Sequence, residues 1–166
     1  MNFPLILIMG VSGSGKTTVG ELLAQQLKLP FYDGDDFHPA ANVAKMTAGI
    51  PLTDADRAGW LATLAADLGK WGATTGAVVA CSALKEAYRQ TLQAGAPDNP
   101  LQWVFLDGTP ELLRSRIEGR QGHYMKANML DSQLAALEKP TYGLQLDVQD
   151  APDKLVAQIV AGLHLA

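Results

Sequence analysis

Short, wholly apolar runs alternate along the chain with longer stretches of helical period. Leu5-Ile6-Leu7-Ile8-Met9 is apolar at every position and is closed by Gly10. That is the pattern of a strand buried on both faces of a parallel sheet. Thr17–Lys28 follows with Val19, Leu22, Leu23 and Leu27 at helical spacing, and Pro30 stops it. Phe31-Tyr32-Asp33 predicts a second, short strand. Thr53 predicts an N-cap, with Asp54 and Asp56 in the first helical turn and Trp60, Leu61, Leu64 and Leu68 on one face. Gly76–Cys81 predicts a third strand, Ala83–Ala94 a helix and Leu101–Leu106 a fourth strand. Thr109 as N-cap with Pro110 at the first helical position starts a helix that runs to about Glu118. Gly119–Tyr124 breaks it. A helix over Ala127–Leu137, a fifth strand over Leu144–Val148 and a last helix over Pro152–Leu163 complete the pattern.

Strands spaced by helices predict an α/β fold, a five-stranded parallel sheet with helices on both faces. The 166 residues suit one domain. Asp36–Thr75 is too long for a single crossover, which marks it as a functional insertion. Hydrophobic residues make up 48% and charged residues 18%, which excludes a disordered or fibrous chain. The net charge of −4 offers no basic excess for a nucleic-acid backbone, so no nucleic-acid partner is expected and any phosphate site must be local. Cys81 is the single cysteine, which excludes a disulfide framework and agrees with a reducing compartment. Leu5–Met9 falls far short of the ~20 apolar residues of a spanning helix and lacks signal-peptide flanks. A cytoplasmic protein without a membrane partner is expected.

Gly10-Val11-Ser12-Gly13-Ser14-Gly15-Lys16-Thr17 fits G-x-x-x-x-G-K-[ST] at every fixed position, between a predicted strand and a predicted helix. In such a loop, glycines let backbone N–H groups turn onto phosphate oxygens, and the helix N-terminus adds its partial positive charge. Lys16 is expected on the β- and γ-phosphates and Thr17 on Mg²⁺, with Thr18 beside them. A lysine at a helix start opposes the dipole, an inconsistency that a bound anion resolves. Thr18 stands where a dinucleotide fingerprint needs its third glycine. None of Asn2, Asn42, Asn99 or Asn128 opens an Asn-Lys-x-Asp guanine reader.

Asp33-Gly34-Asp35-Asp36 ends the second strand, and the carboxyl ends of strands form the ligand crevice of a doubly wound sheet. One carboxylate there suits a metal-bound water and another the attacking hydroxyl. If Gly34 keeps the chain extended, Asp33 and Asp35 face the same side. Asp33 then suits the Mg²⁺ shell and Asp35 the acceptor. Cys81-Ser82-Ala83-Leu84-Lys85 ends the third strand and faces the same crevice. Ser82 reads as an N-cap, a substrate contact, or both. Lys85 and Arg89, four residues apart, read either as a solvated face or as a carboxylate-binding pair. Asp107 reads as a turn residue beside an N-cap. Arg114, Arg116 and Arg120, three of the five arginines, lead into the glycine-flanked segment Arg120-Gln121-Gly122-His123. An arginine-bearing lid over a transferring phosphoryl group would use them.

These residues resemble the gluconokinase family. The resemblance rests on Gly10–Thr17; Asp33-Gly34-Asp35-x-x-His38-Pro39 with Asn42 and Lys45-Met46; and Gly49-x-Pro51-Leu52-x-Asp54-x-Asp56-Arg57 with Trp60-Leu61. It extends to Cys81-Ser82-Ala83-Leu84-Lys85-x-x-Tyr88-Arg89, Gly122-His123-Tyr124-Met125, Leu130-x-Ser132-Gln133 and Leu137-Glu138-x-Pro140. It implies a P-loop kinase fold with a mobile lid at about 119–126 and an acceptor insertion at about 36–75. It further implies transfer from ATP, with Mg²⁺, to the 6-hydroxyl of D-gluconate, and a homodimer. Lys16, Asp35 and Arg120 would then be catalytic. Gly10–Thr18, Arg116 and Arg120 would hold the nucleotide. Asp35, His38, Arg57, Ser82, Lys85, Arg89 and His123 would hold the acceptor, and Thr17 and, through water, Asp33 the metal. The residues alone reach as far as a small-molecule kinase with an anionic acceptor. A shikimate kinase and a non-catalytic nucleotide-binding regulator are the rival readings.

Overall fold

In a computed structural model, which describes residues 2–119 and 124–165, the chain builds one parallel sheet of five strands. In chain order the elements are β1 (Leu5–Met9), α1 (Lys16–Leu27), β2 (Phe31–Asp33), a 3₁₀ turn (Gly34–Phe37), α2 (Ala40–Thr47), α3 (Asp54–Thr74) and β3 (Ala77–Ala80). Then come α4 (Glu86–Ala94), β4 (Gln102–Asp107), α5 (Pro110–Glu118), α6 (Tyr124–Ala136), β5 (Leu144–Asp147) and α7 (Pro152–Gly162). The strand order is β2-β3-β1-β4-β5, and every pairing is parallel. Each crossover must therefore carry the chain back over a face of the sheet, and right-handed crossovers send leftward and rightward steps to opposite faces. From β1 the chain steps left to β2 through α1. From β2 and then from β3 it steps right through α3 and α4. Accordingly α1 packs on α7, and α3 on α4.

The central strand is the most buried. Leu5, Ile6, Leu7, Ile8 and Met9 are all fully buried, as an unbroken apolar run between two helical layers requires. The order reverses at β1, so a crevice opens beyond its carboxyl end, between the segments leading to β2 and to β4. β5 closes one edge, and its residues alternate between half-buried and exposed.

Beyond shifts of a residue, four boundaries differ from the pattern in the sequence, one of them the start of α6, which begins at Tyr124 rather than Ala127. The Asp36–Thr75 segment contains α2 and the 21-residue crossover helix α3, so the insertion proper is the short α2 and its flanks. The Ala83–Ala94 helix begins only at Glu86. Gly34 does not extend β2 but opens the 3₁₀ turn.

α3 starts in a full capping box. Thr53 Oγ1 accepts from Asp56 N, and the Asp56 carboxylate accepts from Thr53 N. α3 also meets α4 closely, because a Cβ added at Gly95 would lie 2.0 Å from the Ala65 carbonyl oxygen. Gly95→Ala is therefore expected to destabilise the fold by about 1–3 kcal/mol, a fall in Tm of roughly 2–12 °C. Gly59→Ala, inside α3 and with nothing within 4 Å of the new Cβ, is expected to stabilise it by about 0.5–1 kcal/mol. Thermal unfolding of the two variants beside the parent checks both signs.

Candidate active site

The phosphate loop grows out of buried β1. Gly15, at φ +93°, is the N-cap of α1. Its added Cβ would meet nothing, so backbone conformation rather than space demands glycine there. No side chain caps α1, and no acidic residue stands in its first turn. The amides and partial positive charge of the helix start face the cavity without an internal anion. Lys16 Nζ donates to Val11 O at 3.2 Å across the loop. Burial lowers its pKa below the ordinary lysine value, against the opposing pull of Asp35, Cys81 and Asp33. Ser12, Gly13, Gly15, Lys16, Thr17 and Thr18 line a cavity of about 520 Å³, whereas Gly10, Val11 and Ser14 are buried behind it.

Asp33 and Asp35 reach the same cavity by a route other than extended backbone. Asp33 caps the 3₁₀ turn, and its Oδ1 accepts from Asp35 N at 3.0 Å. Its Oδ2 accepts from Thr17 Oγ1 at 3.0 Å. A threonine hydroxyl and a carboxylate thus meet at the phosphate end. Asp35 sits further out in the first turn, with its side chain 70% exposed. Cys81 lies close enough to feel Lys16 and both aspartates. Burial pushes its thiol up to about 12, which leaves it a small, inert packing residue.

The acceptor wall comes from α2, α3 and the loop after β3. His38 stacks on Trp60, with ring centroids 4.3 Å apart and planes 16° off parallel. Trp60 Nε1 donates to Gly34 O at 2.7 Å. Asn42, buried on α2, donates through Nδ2 to Asp56 O at 2.8 Å and lies 3.1 Å from His38 Nδ1. Lys45 grips the Asp56 carboxylate at 2.8 Å, and this bond holds the Asp56 carboxyl at a pKa of about 2. Arg57, also buried, donates to Leu52 O at 2.9 Å and to Tyr88 Oη at 3.3 Å, and it lines the cavity with Met46, Ser82 and Leu84.

The loop after β3 corrects two expectations. Ser82 lines the cavity but caps nothing, because the N-cap of α4 is Lys85. Lys85 and Arg89 therefore do not share a helix face. Lys85 Nζ bonds Asp54 at 3.1 Å. The Asp54 carboxyl is held below the usual carboxylate range by the Tyr88 hydroxyl first and Lys85 second. Arg89 is buried away from the cavity lining. It donates to Ala83 O at 2.7 Å, Glu138 O at 2.9 Å and Tyr142 Oη at 2.8 Å. Its job is to clamp Ala83, which sits at a positive φ of +46°. It thereby aims Ser82 instead of touching an acceptor.

On the lid side, Arg114 pairs with Asp131, and Arg116 bonds the Val148 carbonyl. Neither lines the cavity. Arg120 and His123 lie outside the described residues. Asp107 pairs with Lys139 at 3.4 Å, also away from the cavity lining. Gln133 on α6 was not legible as a site residue. It lines the cavity, and its Oε1 accepts from Ser12 N at 2.7 Å. A neutral amide inside a helical stretch carries no signature of such a role, and only its place in the Leu130-x-Ser132-Gln133 block set it apart.

Known proteins resemble the chain in sequence and in fold. The family model for shikimate kinase matches residues 12–162. The gluconokinase of Gluconobacter oxydans (strain 621H) is 49% identical over 136 residues, which cover 81% of this chain and 75% of that protein. The thermosensitive gluconokinase of Escherichia coli (strain K12) is 44% identical over 145 residues, covering 87% and 74%. The crystal structure of a gluconokinase from Sinorhizobium meliloti 1021 superposes with a TM-score of 0.88 at 42% identity, over 97% of this chain and 91% of that one. An APS kinase from Mycobacterium tuberculosis, solved with AMPPNP and APS, shares the fold at 21% identity and a TM-score of 0.76, over 98% of both chains. The chain is thus a P-loop kinase by fold, belongs to the shikimate kinase family as that model draws it, and within it is a member of the gluconokinases.

Proposed function

We propose that the chain transfers the γ-phosphoryl group of ATP to the 6-hydroxyl of D-gluconate, giving 6-phospho-D-gluconate and ADP. The observation that carries this is one cavity lined by the uncapped phosphate loop, two carboxylates and the buried Arg57. Gluconate is an acid with many hydroxyls. It calls for a cation at its carboxylate and an acceptor oxygen at its reacting hydroxyl.

Lys16 and the loop amides stabilise charge as it spreads over the transferring group. Asp35 accepts a hydrogen bond from the 6-hydroxyl and aligns it for in-line attack. The transition state is loose, so alignment counts for more than early proton removal. Arg57 and Ser82 hold the acceptor's far end, and His38 borders it; Lys85, outside the cavity lining and bonded to Asp54, adds positive charge behind that end. Arg89 takes no direct part and supports the Ser82 loop. Thr17 Oγ1 and Asp33 Oδ2, 3.0 Å apart, are hard oxygen donors and fit Mg²⁺ held through one hydroxyl, one water-linked carboxylate and the phosphates. When bound, the ion neutralises phosphate charge. The short α2 and its flanks serve as the acceptor insertion and residues 119–126 as the lid of a single kinase domain, with Arg120 on the phosphates and His123 on the acceptor side. No described helix is long and apolar enough to cross a membrane. A cytoplasmic homodimer is part of this reading, and the dimer rests on the family resemblance alone.

Coupled ADP release tests the acceptor: gluconate should turn over far faster than shikimate, and the reverse order ends the reading. Lys16→Ala is expected to lower kcat by about 10²-fold or more with the fold intact. Asp35→Asn should lower kcat by roughly 10²–10⁴-fold while ATP binding changes little. Weakened ATP binding with unchanged gluconate affinity would exchange the roles of Asp33 and Asp35. Lys85→Met is expected to raise the KM for gluconate by roughly 10-fold or more and to leave that for ATP alone, which steady-state kinetics with each substrate varied in turn will check.

A further inference from the structure

The amide of Asn42 decides where His38 keeps its proton. Asn42 is 3% exposed, and one end of its side-chain amide lies 2.8 Å from the Asp56 carbonyl oxygen. A carbonyl only accepts, so that end is the NH₂ group; the flipped amide would set oxygen against oxygen. The same nitrogen lies 3.1 Å from His38 Nδ1. Its second hydrogen therefore meets Nδ1, which must offer a lone pair. The ring proton of a neutral His38 is then left on Nε2.

Nε2 is the nitrogen that faces the Asp35 carboxylate, 3.7 Å from its Oδ1. The ring cannot easily swing away. It lies flat on Trp60, and Trp60 is bonded to the carbonyl of Gly34, the first residue of the turn that carries Asp35. His38, Trp60 and the 3₁₀ turn thus form a closed ring of contacts beside one exposed carboxylate, and Asn42 holds the His38 end of it.

We propose that Asn42 and His38 are positioning residues for phosphoryl transfer. Asn42 locks His38 as the neutral Nε2–H tautomer, and His38 turns that proton onto Asp35 Oδ1, leaving Oδ2 to receive the acceptor hydroxyl. The inference rests on the reading of Asp35 as the residue that aligns the hydroxyl. The 3.7 Å separation closes to hydrogen-bond length when the acceptor is bound, as unliganded catalytic contacts commonly do. An imidazolium would set Nδ1–H against the Asn42 NH₂ group, so this contact favours the neutral ring. Burial and the Arg57 charge on α3 act in the same direction, while Asp35 on the 3₁₀ turn opposes them, and the net displacement of the His38 pKa is downward. The nearby Asp56 carboxylate is engaged by Lys45 and Thr53.

Long-range ¹H–¹⁵N correlation spectra of His38 in the intact protein read the tautomer without reference to activity. The parent is expected to show a neutral ring protonated on Nε2 at pH 7. Asn42→Leu should let the proton redistribute towards Nδ1 and raise the His38 pKa. Kinetics supply the second arm. A glutamine amide nitrogen can stand where Nε2 stands, whereas that of asparagine reaches only to Nδ1. His38→Gln is therefore expected to stay within about 10-fold of the parent kcat, and His38→Asn to lose about 10²-fold, the scale of a 1 Å misplacement. The KM for ATP should be unchanged in both. A parent ring protonated on Nδ1, or His38→Asn as active as His38→Gln, overturns the inference whatever Asp35→Asn does. Full activity of Asp35→Asn overturns instead the reading on which it rests.

Discussion

Everything in the site depends on a helix that starts without a cap. α1 leaves the phosphate loop with no side chain on its first amides and no carboxylate in its first turn. Most helices spend a Ser, Thr, Asp or Asn there, as α3 does with Thr53 and α5 with Thr109. Leaving α1 bare keeps its donors for an external anion. The arrangement is tolerable because β1, which delivers the loop, is the most deeply packed strand of the sheet. The stability lost at the loop is supplied by the apolar burial just before it.

The acceptor side is held by a different device. The loop after β3 passes through a left-handed alanine, which an L-residue adopts only under constraint. The constraint arrives from far along the chain. Arg89 bonds Ala83 O and Glu138 O, Glu138 N donates to Leu84 O at 2.7 Å, and Glu138 Oε1 accepts from Glu86 N at 2.8 Å. The segment after α6 therefore braces the loop that presents Ser82. Gln133, on α6 itself, holds Ser12 of the phosphate loop. One stretch of chain, 133–138, touches both substrate-facing loops.

The order of elements and the phosphate loop were legible because each has a local signature. An unbroken apolar run such as Leu5–Met9 fits only a doubly covered strand, and the spacing of Gly10, Gly15, Lys16 and Thr17 has one chemical use. Asp33 and Asp35 were legible as carboxylates at a strand end, but not the turn between them, because the Asp33 side chain replaces a backbone partner and winds Gly34 into a 3₁₀ helix. The late start of α4 and the structural role of Arg89 were not legible, since both are imposed by Glu138 and Tyr142, about fifty residues away in sequence. Gln133 and Asn42 are neutral amides. Their roles come from the hydrogen bonds around them, and no spacing rule encodes those.

Asp56 has less latitude to change than many residues that line the cavity. Its carboxylate closes the capping box of α3 and holds Lys45 of α2, while its carbonyl holds Asn42. Asparagine would keep the reach but surrender the charge that Lys45 needs. Glutamate would keep the charge but displace it by a methylene from a box whose geometry is set by the backbone. The short helix α2 is thus riveted to α3 at a single residue that lies outside the cavity lining. Sequence drift in the acceptor wall is hemmed in by this joint, so a chain evolving towards a differently shaped acid is freer to vary Met46 or Leu52, whose side chains face the cavity, than the rivet behind them.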